Sequence, residues 1–398
     1  RSLTSTRPPR HLLPLPTRRS SDLAAEYAFI LYPILNAEAV TQGELPKEML
    51  GVQAVDDRTL EVQFAQPTPY FAKLVAFVTF LPLQQEFYES TNGRYGADAD
   101  EMLYNGPYVL DEWVHGASML WHKNPGYWGD HKGFLDEIVT AYITTDVNAK
   151  LNLFKDGQIA ETQLLAPMLP EAMEQRWQID RVMDGTVFFL EFNHREDRVT
   201  DNWNFRRAMQ LAQNSDELVY KVLKEAAYLP AVSLFPVWIQ GLNGAFRSEY
   251  PPVEHKMNLE LAREHLEMAK AELGIEEFPP IVFLTGDTPI SILSAEYYQE
   301  LYKQNLGLEI RIDVQNFKQR LAKMTSGEFD VVVAGWGPDY DDPLTFGDFF
   351  ASWNLNNRGR YSSSEMDAQV RIAQAELDPK KRLDAFGEIQ RIVYEDVT

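Results

Sequence analysis

The stretch with the most chemistry in this 398-residue sequence is Gly335-Trp336-Gly337-Pro338-Asp339-Tyr340-Asp341-Asp342-Pro343, an indole and three carboxylates in a short span. It follows Phe329-Asp330-Val331-Val332-Val333-Ala334, an apolar run that reads as a strand buried on both faces and central in a mostly parallel sheet. Asp342 and Pro343 read as the N-cap and first residue of a helix, so a turn accounts for both. It does not account for Trp336 and Asp339, which fall just beyond the carboxyl end of the strand, where open α/β sheets hold ligands. An aromatic plane beside a carboxylate suits an extended cationic or zwitterionic ligand. Calcium fits poorly: in a loop starting at Asp339, position six is Leu344 and position twelve is Phe350.

Other chemistry finds little support. His115, His122, His131, His194, His255 and His265 show no HExxH or similarly tight ligand spacing, and His11 lies in an anomalous leader. Nucleotide and acyl-transfer motifs are missing, since Gly241-x-x-Gly244 lacks the rest of a phosphate cradle and there is no GxSxG. Without cysteine there is no thiol catalysis, disulfide or thiolate metal centre. Paired carboxylates would serve a hydrolase, but 59 acidic residues supply such pairs by chance. No catalytic residue, cofactor or metal is therefore expected. Against 37 basic residues those acids give a net charge of −22, which disfavours nucleic acid as a partner. No apolar run approaches the roughly 20 residues that span a bilayer.

The elements that must hold the Trp336–Asp339 segment follow from hydrophobic period and caps. Val52, Ala54, Leu60, Val62 and Phe64 alternate around Asp56-Asp57 as a hairpin. Residues 67–83 read as a core helix with a strand or loop after it, and 109–121 and 138–143 as strands. Asp146 caps a helix over 148–154, and 186–192 is a strand. The second half alternates: helix from Asn258 to Gly274, strand 281–285, a helix around 297–302, strand 308–314, helix 317–324 and the central strand. Ser362-x-x-Glu365 is a capping box, and Asp378-Pro379 opens the last helix. This alternation predicts an α/β fold. Residues 1–23 stand apart, with five arginines, four prolines and one acid. Their PTRRSSDL end resembles a translated sequencing adapter, so the segment is read as a non-native leader that packs against nothing. Both ends of the sequence read as fragment ends.

The 329–343 segment resembles the corresponding motif of oligopeptide-binding proteins of solute-binding protein family 5, the extracytoplasmic receptors of ATP-binding-cassette (ABC) peptide importers. Other landmarks agree in order: Ile34-Leu35-Asn36-Ala37, Asp56-Asp57-x-Thr59-Leu60-Glu61-Val62, Pro69-Tyr70-Phe71, Asn105-Gly106-Pro107-Tyr108, Asn124-x-x-Tyr127-Trp128, Asn204-Phe205-Arg206-Arg207-Ala208 and Tyr361 ahead of Met366-Asp367.

The resemblance implies a periplasmic-binding-protein-like class II fold, two lobes around a cleft plus an extra domain, incomplete in this chain. Residues 24–83 would end the extra domain, 84–192 belong to lobe I and 193–398 to lobe II. It implies a ligand role for Asp339 at the peptide amino terminus, for Trp336 and Phe317 as cleft aromatics, and for Gly335, Gly337, Tyr104 and Asn105. Positions where enterobacterial relatives grip the peptide carboxylate with arginine hold Met324 and Val333. The implied function is capture of oligopeptides for delivery to ABC permease subunits, without catalysis, by a monomer. It would be extracytoplasmic, a Gram-positive lipoprotein or a periplasmic protein, touching the membrane only through a lipid anchor. Receptors for nickel complexes or sugars on the same fold, and a carboxylate-dependent hydrolase, are the competing readings.

Overall fold

The computed structural model describes residues 27–131, 133–225 and 227–398, so the basic segment 1–23 lies outside the described residues. The described chain divides into two units, one of residues 51–63 and 78–177, the other of 27–50, 64–77 and 178–398.

In the first unit, β1 (Val52–Ala54) and β2 (Leu60–Val62) form the expected hairpin. Asp56 sets its turn by accepting from the Arg58 amide (2.8 Å) and the Thr59 hydroxyl (2.9 Å). Strands β3 (Tyr108–Val114), β4 (Ser118–Lys123) and β5 (Glu137–Thr140) make an antiparallel sheet in that order. Helix α1 (Val147–Lys155) starts on Asp146, whose carboxylate accepts from the Asn148 and Ala149 amides. Among the described residues the buried apolar side chains of this unit are Leu110, Leu151, Met168 and Ala172. That small set limits what burial can contribute to its stability.

The second unit holds β6 (Val187–Phe192), α2 (Trp203–Leu211), α3 (Leu259–Leu273), β7 (Ile281–Gly286), α4 (Pro289–Leu306), β8 (Ile310–Gln315), α5 (Phe317–Ser326), β9 (Val331–Trp336), α6 (Ser364–Ala375) and α7 (Pro379–Asp396). The four strands lie in the order β6-β9-β7-β8. On one face Ile281, Phe283, Ile310 and Val331 pack with Phe205 and Met209 of α2, Leu266 of α3 and Tyr302 of α4. On the other, Leu284, Val332 and Ala334 pack with Phe329 and with Met324 of α5. This two-sided burial is why β9 reads as a continuous apolar run. Helix α3 runs between the expected signals, from Asn258, which accepts from the Leu261 amide, to Gly274 at φ 66°. Buried Asn193, just after β6, donates to the Gly327 and Phe329 carbonyls (3.1 and 2.7 Å), tying β6 to the start of β9. Beside it the buried Glu191 carboxylate accepts from the Gly359 amide at 2.6 Å. A Cβ at Gly359 would lie 2.2 Å from the Phe192 carbonyl oxygen, so only glycine permits that approach.

Several local expectations shift. The sheet is mixed, because β6 runs antiparallel to β9 while β7 runs parallel to both β8 and β9. Within 67–83 the helix is only Phe71–Leu74, followed by a 3₁₀ turn at Val78–Phe80. Flanking Pro69 and Pro82 and the β-branched Val75, Val78 and Thr79 limit it, and Val75 and Val78 are exposed. Strand β5 stops at Thr140 rather than continuing to Ile143. The capping residue of α6 is Ser363, which accepts from the Met366 amide at 3.4 Å, while Glu365 turns to Arg391.

Because the two units differ so much in buried apolar area, their opening free energies should differ as well. Native-state hydrogen exchange should leave the amides of β7 and β9 protected long after those of β3, β4 and β5 have exchanged. Equal protection in both sets would show that core burial does not govern the stability of this chain.

Candidate functional site

Strand β9 sets the site by pairing unequally. It meets β6 along its whole length, from Val331 opposite Phe192 to Trp336 opposite Val187, but meets β7 only at Val331 and Val332. Backbone groups past Val332 must find other partners or face solvent. Arg320 of α5 donates from Nη1 to the Val333 carbonyl at 2.9 Å. Further on, the Thr345 hydroxyl accepts the Asp339 amide at 3.0 Å and lies 3.4 Å from the Trp336 indole nitrogen. One hydroxyl thus fixes both residues that the sequence singles out.

The rest of the wall is aromatic. Trp336 meets the Phe349 ring edge-on, with centroids 5.0 Å apart, and Phe349 meets Phe189 of β6 in the same way at 5.5 Å. Gly335 faces Phe188 across the strand pair, where a Cβ would stand 2.7 Å from that ring. Glycine there lets Phe188 lie against the bare backbone. Gly337 is less crowded, its Cβ position being 3.3 Å from the Thr186 hydroxyl.

Two acids here differ in their partners. Asp342 is 4% exposed and is held by Arg382 of α7 through two bonds, Nη1 to Oδ2 at 2.9 Å and Nη2 to Oδ1 at 2.6 Å. Its Oδ1 also accepts the Leu344 amide at 3.0 Å, the capping role expected of it, displaced so that the short helix begins at Leu344. Arg382 also donates from Nε to the Ala373 carbonyl at 2.7 Å and lies over the Tyr70 ring, so it joins α6, α7 and the 64–77 segment to the loop. The half-buried Asp339 differs: among the described residues no hydrogen bond or ion pair engages its carboxylate, and burial pushes it up to about 6. Asp348 is pushed up to about 8, first by burial and then by the charge of Asp339. The Tyr340 phenol, stacked on Tyr70 at 6.0 Å, is raised well above its ordinary value by burial and then by Asp348. The cluster can therefore take a cation at Asp339, because an incoming positive charge would favour the ionised form that desolvation disfavours.

Of the other expected site residues, Phe317 opens α5, is 66% exposed, and carries the Arg320 guanidinium 5.6 Å from its ring centre. Tyr104 and Asn105 belong to the first unit, where Asn105 is exposed and the Tyr104 hydroxyl donates to the Ala99 carbonyl at 2.8 Å. Thr345, Asp348, Tyr70 and Arg382 were not expected. Arg382 is remote in sequence from Asp342, and no spacing rule links them. Among the described residues no three His, Asp or Glu side chains form a metal-holding group, and no helix is long and apolar enough to cross a membrane.

The second unit is thus a mixed sheet with helices packed on both faces and, past β9, an acid that no side chain among the described residues engages. Residues 18–357 match the family of bacterial extracellular solute-binding proteins, family 5, and the chain belongs to that family. Its fold is the periplasmic-binding-protein-like fold. It is 27% identical over 386 residues to the oligopeptide-binding protein OppA of Bacillus subtilis, covering 94% of this chain and 69% of that protein. Among solved structures it is similar to the substrate-binding domain of an oligopeptide ABC transporter from Bacillus anthracis, with a TM-score of 0.84, 33% identity, and 94% and 73% of the two chains covered. It is also similar to Listeria monocytogenes OppA bound to peptide, with a TM-score of 0.80, 31% identity, and 93% and 72% covered.

Removing Arg382 would leave the buried Asp342 charge uncompensated, so Arg382→Met should lower stability by about 3–5 kcal/mol in urea unfolding. A loss below about 1 kcal/mol would mean that the pair does not hold the loop. Asp339 gives a pH signature. Its folded pKa, about 6, lies above the ordinary 3.8, so its contribution is fully present below about pH 3.8 and is lost as pH rises through 6. Asp339→Asn removes this dependence. Measured against the wild type, the variant's melting temperature should rise between pH 4 and pH 7, and a flat difference would mean that Asp339 titrates normally.

Proposed function

We propose that this protein captures oligopeptides outside the cytoplasm and delivers them to the permease subunits of an ABC importer. The observation that carries this reading is the half-buried Asp339 carboxylate, which no side chain among the described residues engages, beside Trp336 and at the end of a strand whose second neighbour has been lost. Every unmodified peptide brings an α-ammonium and a main chain whatever its sequence. Asp339 meets the ammonium. The backbone at Gly335 and Gly337 meets the main chain, in the manner of a strand added to a sheet edge. Trp336 and Phe317 offer apolar surface to side chains. Recognition then depends on groups that all peptides share, as a general receptor requires.

The family's description as solute-binding proteins and the names of its relatives support a binding role without catalysis. We further propose a monomer, held at the cell surface by a lipid anchor or free in a periplasm.

Closure of the site over a peptide would make Asp339 and the ligand ammonium a desolvated pair, and removing one partner of such a pair costs roughly 2–5 kcal/mol. Asp339→Asn should therefore weaken a free-amine peptide by about 30- to several-thousand-fold, and its N-acetylated counterpart much less. Calorimetric titration of both peptides against both proteins completes the cycle. Equal losses would assign Asp339 to the turn alone.

A further inference from the structure

Near the end of β9 opposite Asp339, two arginines depart from the pairing seen elsewhere. The cations Lys155, Arg382 and Arg391 each meet a carboxylate, as 59 acidic residues against 37 basic ones readily allow. Among the described residues no carboxylate lies within ion-pair distance of Arg195 or Arg360. We propose that Arg195 and Arg360, with Arg198 beside them, bind a phosphate oxyanion, either the free ion or the phosphate of a lipid headgroup, at a site separate from that of Asp339.

Two segments distant in sequence bring these residues together. The His194 amide, just past β6, donates to the Gly359 carbonyl at 2.7 Å, and Arg195 donates from Nη1 to the Arg358 carbonyl at 3.1 Å. Arg360 follows directly, exposed, and among the described residues its side chain makes no hydrogen bond. Burial first, and then the charges of Arg360 and Arg198, hold the Arg195 guanidinium below its ordinary value. Asp197 and the buried Glu191 act on Arg195 only through space. Like charges gathered in this way repel one another, and an arriving anion would relieve that cost.

A helix cap accounts for part of the cluster. Arg198 donates from Nη2 to the Gly327 carbonyl at 3.0 Å, and Asp330 and Asp197 lie 3.3 and 3.6 Å from its guanidinium. Arg195 lies against Gly327, where a Cβ would stand 2.6 Å from the guanidinium carbon. Cations so placed answer the free carbonyls at the end of α5. That role draws little on Arg195, whose Nη2 reaches the Thr325 carbonyl only at 3.4 Å, and it leaves Arg360 unexplained. A phosphate has three acceptor oxygens and a charge of roughly −1.5 to −2 near neutral pH, so it can engage more than one guanidinium at once. The six residues of β9 span roughly 17–20 Å. The cluster lies by its Val331 end, beside Phe192 and Asn193, while Trp336 and Asp339 lie at and past the other. The two ends can therefore be occupied independently, and this inference does not rest on the peptide reading.

Arg360→Gln is the direct test, because that side chain is exposed and braces nothing among the described residues. Arg195→Gln is its companion, and Lys256→Gln, at an exposed cation before α3, controls for the loss of one charge. Two probes are titrated near neutral pH at constant ionic strength: inorganic phosphate by calorimetry, and phosphatidylglycerol vesicles by co-sedimentation, with phosphatidylcholine vesicles as the neutral reference. Arg360→Gln and Arg195→Gln should each weaken binding of the probe that the wild type takes about 10- to 100-fold, while Lys256→Gln leaves it near the wild-type value. Binding of phosphate alone assigns the site to the free ion, binding of the anionic vesicles alone assigns it to a headgroup, and phosphate that displaces the vesicles assigns it to the group they share. Binding of neither probe overturns the proposal. So does an equal loss in Lys256→Gln, which would mean net charge alone, or the absence of any loss in Arg360→Gln.

Discussion

A strand in the middle of a sheet normally satisfies its peptide groups on both sides. β9 does so for Val331 and Val332 and then continues with β6 as its single neighbour. Most of the candidate site follows from that unequal pairing. An unpaired backbone edge in a partly buried setting must be bonded by side chains or by whatever arrives from outside. Arg320 and Thr345 take the first role, each reaching the segment from a different element. Among the described residues, what remains without a second strand is a short length of main chain between an arginine and an aspartate.

The electrostatics of the site depend on which acid has been given a partner. Asp342 and Arg382 form a buried two-bond pair that joins the loop to α6 and α7, so the charge of Asp342 serves the architecture. Asp339, three residues earlier, shares the desolvation, and among the described residues no such cation engages it. Asp348, pushed up by its own burial and then by the charge of Asp339, is a second acid there that resists ionisation. A site built this way favours a ligand that brings its own positive charge. The overall charge of −22 acts in the same sense over longer range.

The second unit concentrates the core, with helices packed on both faces of one sheet, while the first presents a small antiparallel sheet with few buried apolar side chains. The unit with the larger core carries Trp336 and Asp339, and a well-packed scaffold is what holding a charge and an indole at fixed separation requires. Gly335 and Gly359 show how closely that scaffold is packed, since a Cβ at either would meet an aromatic ring or a carbonyl oxygen.

Much of this was legible from sequence, because it depends on neighbours along the chain. The hydrophobic period located the helices and strands of the second unit, Asn258, Gly274 and Asp378 marked ends of its helices, and Asp146 marked the start of α1 in the first, because caps act over only a few residues. The continuous apolar run of β9 announced burial on both faces, and the indole and acid after it stood out as a candidate site. Short segments were less legible: in 67–83 the apolar count suggested a helix that prolines and β-branched residues cut to one turn. What only the tertiary structure decided are relations between distant residues. These include the antiparallel return of β6, the parting of β9 from β7, the Arg382 partner of Asp342, the Thr345 hydroxyl under both Trp336 and Asp339, and the approach of Arg320 to Val333. The physical reason is that hydrogen bonding and burial are properties of position in space. The sequence determined that an acid and an indole stand at the end of a buried strand, and the fold decided that Asp342 would be neutralised from α7 while Asp339 would not.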